Sequence, residues 1–149
     1  MRSTDPGAPR LTPAWRYGLV GGLASIPLTA VHWLSETANE LSLNMVFVGG
    51  LVAGYLAAVG AEQVRAAPVG VRTGLVGCLP GVWLALDTFL FGGSVGGPAW
   101  FQMLGTGMLV VSFIVFAVLV SIVIGVLGAK VGGWLAAKLG HRPTAVAGN

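Results

Sequence analysis

Four apolar runs alternate with short polar breaks along the chain: Trp15 to Leu34, Leu43 to Ala61, Val71 to Phe91 and Met103 to Ala129. Each is close to the roughly 20 residues that a helix rising about 1.5 Å per residue needs to cross about 30 Å of hydrocarbon. The pattern predicts an all-α protein, a four-transmembrane-helix bundle whose short connections favour antiparallel neighbours. The runs are also related in pairs. Arg16-Tyr-Gly-Leu-Val-Gly-Gly-Leu23 returns 56 residues later as Arg72-Thr-Gly-Leu-Val-Gly-Cys-Leu79. Each copy opens an apolar run, so the chain reads as a duplicated helical hairpin. Both copies start on the same side, which predicts pseudo-two-fold symmetry about an axis along the membrane normal. The last run is longer and continues past Lys130 toward Leu139. There Lys130, Trp134 and Lys138 recur at spacings of four, the pattern of a stretch lying along the inner surface.

Small residues fall in stripes on these predicted helices. At 100° per residue, Gly70, Gly74, Gly77, Cys78, Gly81 and Ala85 share an arc of about 100°. Gly18, Gly21, Gly22, Ser25 and Thr29 form a stripe on the first helix, and Gly49, Gly50, Ala53, Gly54 and Ala57 on the second. On the last, Ser121, Gly125 and Ala129 recur every four residues, as do Gly128, Gly132 and Ala136. Between helices in lipid there is no hydrophobic drive, so close backbone approach and van der Waals contact carry much of the association. The stripes have two readings, packing within one bundle and pairing of subunits in a homo-oligomer, of which the first is the expectation. Pro27 and Pro80 lie inside spans, where a missing N–H and a ring clash favour kinks.

Composition agrees with lipid. Of 149 residues, 55% are hydrophobic and 9% charged, and the mean hydropathy is +0.85, too apolar for a soluble domain. The net charge of +3 is not a nucleic-acid signature, because the basic residues are few and dispersed. It sets orientation instead. Arg2, Arg10 and Arg16 precede the first span, Arg65 and Arg72 separate the second and third, and Lys130, Lys138 and Arg142 follow the fourth; together these are all 8 basic residues. The opposite side receives Glu36 and Glu40 and an uncharged Gly-rich loop at 92–98. By the positive-inside rule, both termini are cytoplasmic and the protein is a multi-pass protein of the cell membrane. Trp15 and Tyr17 anchor the inner boundary; Trp33, Trp100 and Phe101 anchor the outer one. The domain then comprises residues 14–139. Residues 1–13, with three prolines, form a disordered cytoplasmic tail and 140–149 a second tail. The repeat also argues against a cleaved signal peptide, since its second copy is internal.

Few residues could carry chemistry. Asp87 is the one charged residue well inside a span, and such residues are functional candidates by default. It lies four residues from Phe91, about 6 Å from the outer end, where headgroups and water solvate it. It also points about 130° from the centre of its helix's glycine face. His32 shares an arc with Gly18, Gly22, Ser25 and Thr29 and aligns through the repeat with Thr88, near the depth of Asp87. It has two candidate partners, Asp87 across helices and Glu36 at i+4; a lone interfacial histidine is the simpler reading. Two distant histidines, His32 and His141, and one cysteine, Cys78, make no metal site. The Gly-rich stretch lacks the lysine of a phosphate loop, and a single span aspartate cannot make an aspartyl intramembrane protease. No cofactor and no enzymatic activity are expected.

Gly50-Leu-Val-Ala-Gly-Tyr-Leu56 and Gly70-Val-Arg-Thr-Gly-Leu-Val-Gly77 resemble a haloarchaeal family of small four-helix membrane proteins of unknown function. The resemblance covers the second and third spans and implies an archaeal cell membrane and no known activity. Two classes of function remain. One is a non-enzymatic structural or accessory membrane protein, surrounded by lipid and packed through Gly18, Gly22, Gly50, Gly54, Gly74, Gly77, Gly81 and Gly125, with a homo-oligomer or a larger membrane complex as partner. The alternative is an oligomeric transporter or channel with a polar outer vestibule at His32, Asp87 and Glu36. Four-helix multidrug carriers place an acidic residue deep in the first span, where this chain has Ser25-Ile-Pro27.

Overall fold

A computed structural model describes residues 11–34, 43–60, 64–91 and 97–140. These residues form five helices and no strand: α1 Pro13–Leu34, α2 Leu43–Val59, α3 Ala66–Gly77, α4 Leu79–Phe91 and α5 Ala99–Lys138. Two helical stretches are long and apolar enough to cross a membrane, Ala66–Asp87 and Ala99–Lys138; Met45–Val59 is apolar but shorter. α1, which carries Arg16, Ser25, Pro27 and Thr29 along its length, is not among them.

Local chemistry sets the helix ends. Pro13 opens α1, where no intrahelical N–H is needed, and the Thr12 carbonyl accepts from the Trp15 N–H at 2.8 Å. α3 begins at Ala66, five residues before the apolar run, because Pro68 is tolerated in a first turn. Pro80 then interrupts the rod at Cys78, between α3 and α4. The flanking bonds survive, Cys78 N–H to the Gly74 carbonyl at 3.0 Å and Val82 N–H to the Cys78 carbonyl at 2.9 Å. α1 runs through Pro27 without interruption.

The glycine contacts fix the helix directions. Gly21 of α1 meets Gly49 and Ala53 of α2, and Gly49 in turn meets Gly21 and Ser25, so α1 and α2 are antiparallel. Gly70 faces Val126 while Gly74 faces Ser121 and Ile122, so α3 and α5 are antiparallel too. Between hairpins, Gly18 meets Arg72 and Gly22 meets Val76, whereas Gly50 meets Gly125 and Gly54 meets Ala129. α1 with α3, and α2 with α5, are therefore parallel neighbours. α2 and α3 also touch and hold the middle; α1 and α5 flank them with at most marginal contact. This corrects the expected two-fold axis. An axis along the normal would set equivalent helices diagonally opposite, but here they lie side by side, so the hairpins stack laterally. Glycines on both stacking seams permit it.

A second correction concerns the end of α5. The helix is continuous over 40 residues, about 60 Å, and its last third is not a separate surface segment. Gly128 seats against Phe47 and Leu51, and Gly132 against Leu51 and Tyr55, which keeps this stretch packed along α2.

Candidate functional site

The helices meet in a crossing built from small residues. Gly22 of α1, Gly50 of α2, Gly74 of α3 and Gly125 of α5 each face a neighbouring helix so closely that a Cβ would collide with it. A Cβ on Gly70 would lie 2.5 Å from the Val126 Cα, one on Gly50 2.6 Å from the Gly125 carbonyl oxygen, and one on Gly18 2.6 Å from the Arg72 Cβ. Gly77 sits where three helices converge, facing Ser25 Oγ of α1 and Val46 of α2. At the end of α1 where the chain enters, Tyr17 covers Gly60, the residue that follows α2.

Of the four buried hydroxyls, those of Ser25, Thr29 and Thr73 bond carbonyls of their own helices. Ser25 Oγ donates to the Gly22 carbonyl at 2.7 Å and Thr29 Oγ1 to the Ser25 carbonyl at 2.8 Å. Thr73, fully buried, reaches the Val69 carbonyl at 3.1 Å and, at 3.4 Å, the Gly18 carbonyl across the helix boundary. Hydroxyl-to-own-helix bonds satisfy a buried donor without a partner from outside. Among the described residues no charged side chain is buried and no group of three or more His, Cys, Asp and Glu could hold a metal ion.

The outside is the reverse of the inside. Trp83, Met103, Met108 and Phe91 are 71, 82, 72 and 84% exposed, whereas the buried apolar residues are Ala, Val and Cys. Large apolar groups outward and small ones inward invert the order found in water-soluble domains.

A family model matches residues 15–135, most of the chain. The chain belongs to DUF5518, a family of unknown function. No curated protein and no solved structure matches it. The DUF5518 match runs from the first turn of α1 to the last turn of α5, so it takes in the whole glycine crossing.

Of the residues singled out from sequence, Gly18, Gly22, Gly50, Gly54, Gly74, Gly77 and Gly125 lie buried at helix contacts; Gly81 does not, having open space where a Cβ would point. Asp87 is exposed on α4. His32 belongs to the last turn of α1, but its side chain lies outside the described residues, as do Glu36, Glu40 and the loop at 92–96.

Two cation–aromatic pairs were not anticipated. The Arg72 guanidinium sits 5.2 Å from the Trp15 ring while Nη1 donates to the Pro68 carbonyl at 3.0 Å. The Lys138 ammonium sits 4.9 Å from the Trp134 ring. For the second pair the i, i+4 spacing was the available signal; the first joins α1 to α3 and left none.

Proposed function

We propose that this protein is a multi-pass membrane protein that crosses the bilayer four times, with both termini in the cytoplasm, and that its role is structural or accessory rather than catalytic. The observation that carries the proposal is the inverted distribution of side chains: glycine, alanine, valine and a few hydroxyls inside, large apolar groups outside. Such a body is suited to lipid and to close helix packing. The antiparallel course of each hairpin supports the topology. It brings the start of α1, the end of α2, the start of α3 and the end of α5 to one end, with Arg16, Arg65, Arg72, Lys130 and Lys138, as the positive-inside rule requires of a cytoplasmic side. α5 exceeds the hydrocarbon thickness, and tilt or protrusion accommodates the excess. An archaeal cell membrane, implied by the resemblance of the second and third spans, completes the reading.

A transporter needs a polar path, and the buried polar side chains among the described residues are the four hydroxyls of Ser25, Thr29, Thr73 and Ser121, the first three of them bonded to backbone carbonyls. Purified protein in liposomes should therefore pass no ions or protons above empty vesicles at any pH between 5 and 8. Flux that disappears in Asp87→Asn or His32→Gln would overturn the accessory reading and make those residues a conduction site.

A further inference from the structure

The outward face of the inner third of α5 is charged in a way the helix packing does not use. At 100° per residue, Val123, Leu127, Lys130, Val131, Trp134 and Lys138 fall within an arc of about 100°, opposite the buried stripe of Ser121, Gly125, Gly128, Ala129, Gly132 and Ala136. All six are exposed, Trp134 by 59%, Leu127 by 51% and Val123 by 57%. Lys130 and Lys138 stand about 12 Å apart along the axis, with the Trp134 indole between them. Neither lysine has a carboxylate partner among the described residues, whose one carboxylate, Asp87, is on α4 near the other end. The Lys138 ammonium rests 4.9 Å from the Trp134 ring, as the Arg72 guanidinium rests on Trp15, and the aromatic face holds it beside the indole without neutralising its charge.

We propose that this face is a binding site for an anionic phospholipid, its phosphate held between Lys130 and Lys138 beside Trp134 and its acyl chains lying along Leu127 and Val123. Charge complementarity selects the occupant. Two ammonium groups with no carboxylate partner among the described residues flank an indole, a side chain that settles at headgroup depth. Beyond Lys130 and Val131 on the same arc, toward the middle of α5, Leu127 and Val123 make the surface apolar. A lysine near an anionic surface contributes about 1 kcal/mol, a factor of about five in affinity. The proposal rests on the membrane reading of the whole chain.

The test uses the full chain in vesicles containing brominated phosphatidylglycerol or, at the same mole fraction, brominated phosphatidylcholine. Trp134 quenching is read as the difference between the unmodified protein and Trp134→Phe. The expected result is a preference for the anionic lipid of about five-fold or more, abolished in Lys130→Gln/Lys138→Gln and retained in Lys130→Arg/Lys138→Arg. Equal quenching by the two lipids, or a preference that survives the double glutamine variant, would overturn the site. No quenching by either lipid would overturn the membrane reading itself.

Discussion

Replacing Gly54 by alanine adds one methyl group at the tightest seam between α2 and α5. That methyl would overlap the Ala129 carbonyl oxygen and lie 2.5 Å from the Ala129 Cα and 2.6 Å from its carbonyl carbon. All three are backbone atoms, so no side chain can swing aside. Restoring ordinary contact at 3.4 Å with the Ala129 Cα alone requires the helices to part by about 0.9 Å, and the nearer carbonyl oxygen requires more. A gap of 0.5–1 Å forfeits about a quarter to a half of the attraction of each atom pair it opens, and overpacking of this kind costs about 1–3 kcal/mol. Against this, alanine is favoured over glycine in a helix by about 1 kcal/mol. Gly105→Ala isolates that second effect, because nothing lies within 4 Å of where its Cβ would point. The two substitutions should therefore separate in stability, Gly54→Ala falling by as much as about 2 kcal/mol and Gly105→Ala rising by as much as about 1 kcal/mol. Reversible unfolding in mixed micelles, followed by tryptophan fluorescence, measures both. Equal stability of the two variants would refute the claim that backbone contact at Gly54 holds the hairpins together.

Thr73→Val should cost less than about 1 kcal/mol, since the hydroxyl bonds mainly its own helix and the Val69 carbonyl keeps a place in the helix ladder; Thr73→Leu, which adds volume at a fully buried site, should cost about 1–3 kcal/mol in the same unfolding assay. Arg72→Gln removes the guanidinium from the Trp15 ring and should lower stability by about 0.5–1 kcal/mol while shifting Trp15 emission; an unchanged spectrum would contradict the stacking. Cys78 is 7% exposed at the α3–α4 break. A maleimide reagent should label it slowly in the native protein and fully in dodecyl sulfate, and native labelling as fast as that of an Asp87→Cys control would contradict its burial.

What the sequence made legible is the set of surfaces that meet. A period near 3.6 in small residues can be read without knowing the partner, and the stripes on α1, α2, α3 and α5 are buried positions in the structure. Gly81 departs from its stripe because it lies beyond the break at Cys78 and Pro80: α4 packs chiefly on α5, with Ala85 and Val110 buried, and turns away from α1 and α2. A helical wheel drawn through a proline assumes a straight rod; here it misplaces Gly81 at the break, while Ala85 is buried and Asp87 exposed as the wheel has them. The neighbour order was not legible either. Glycine stripes say that helices approach closely, but the choice between lateral stacking and opposition across an axis depends on which stripes pair, and that is decided by three-dimensional fit. The polar candidates fared differently again. Asp87 lies exposed on α4, consistent with its wheel position away from the glycine face, whereas the side chains of His32 and Glu36 lie outside the described residues.

The central claim, four crossings with the basic ends in the cytoplasm, is tested most directly by labelling single cysteines from each side of the membrane. In a Cys78→Ala background, Ser3→Cys, Glu62→Cys and Ala147→Cys should react with an impermeant maleimide only in inverted vesicles, and Glu40→Cys and Ser94→Cys only in right-side-out ones. Labelling of Ser3→Cys and Glu62→Cys from opposite sides would contradict the account, because the first hairpin would then cross the membrane an odd number of times.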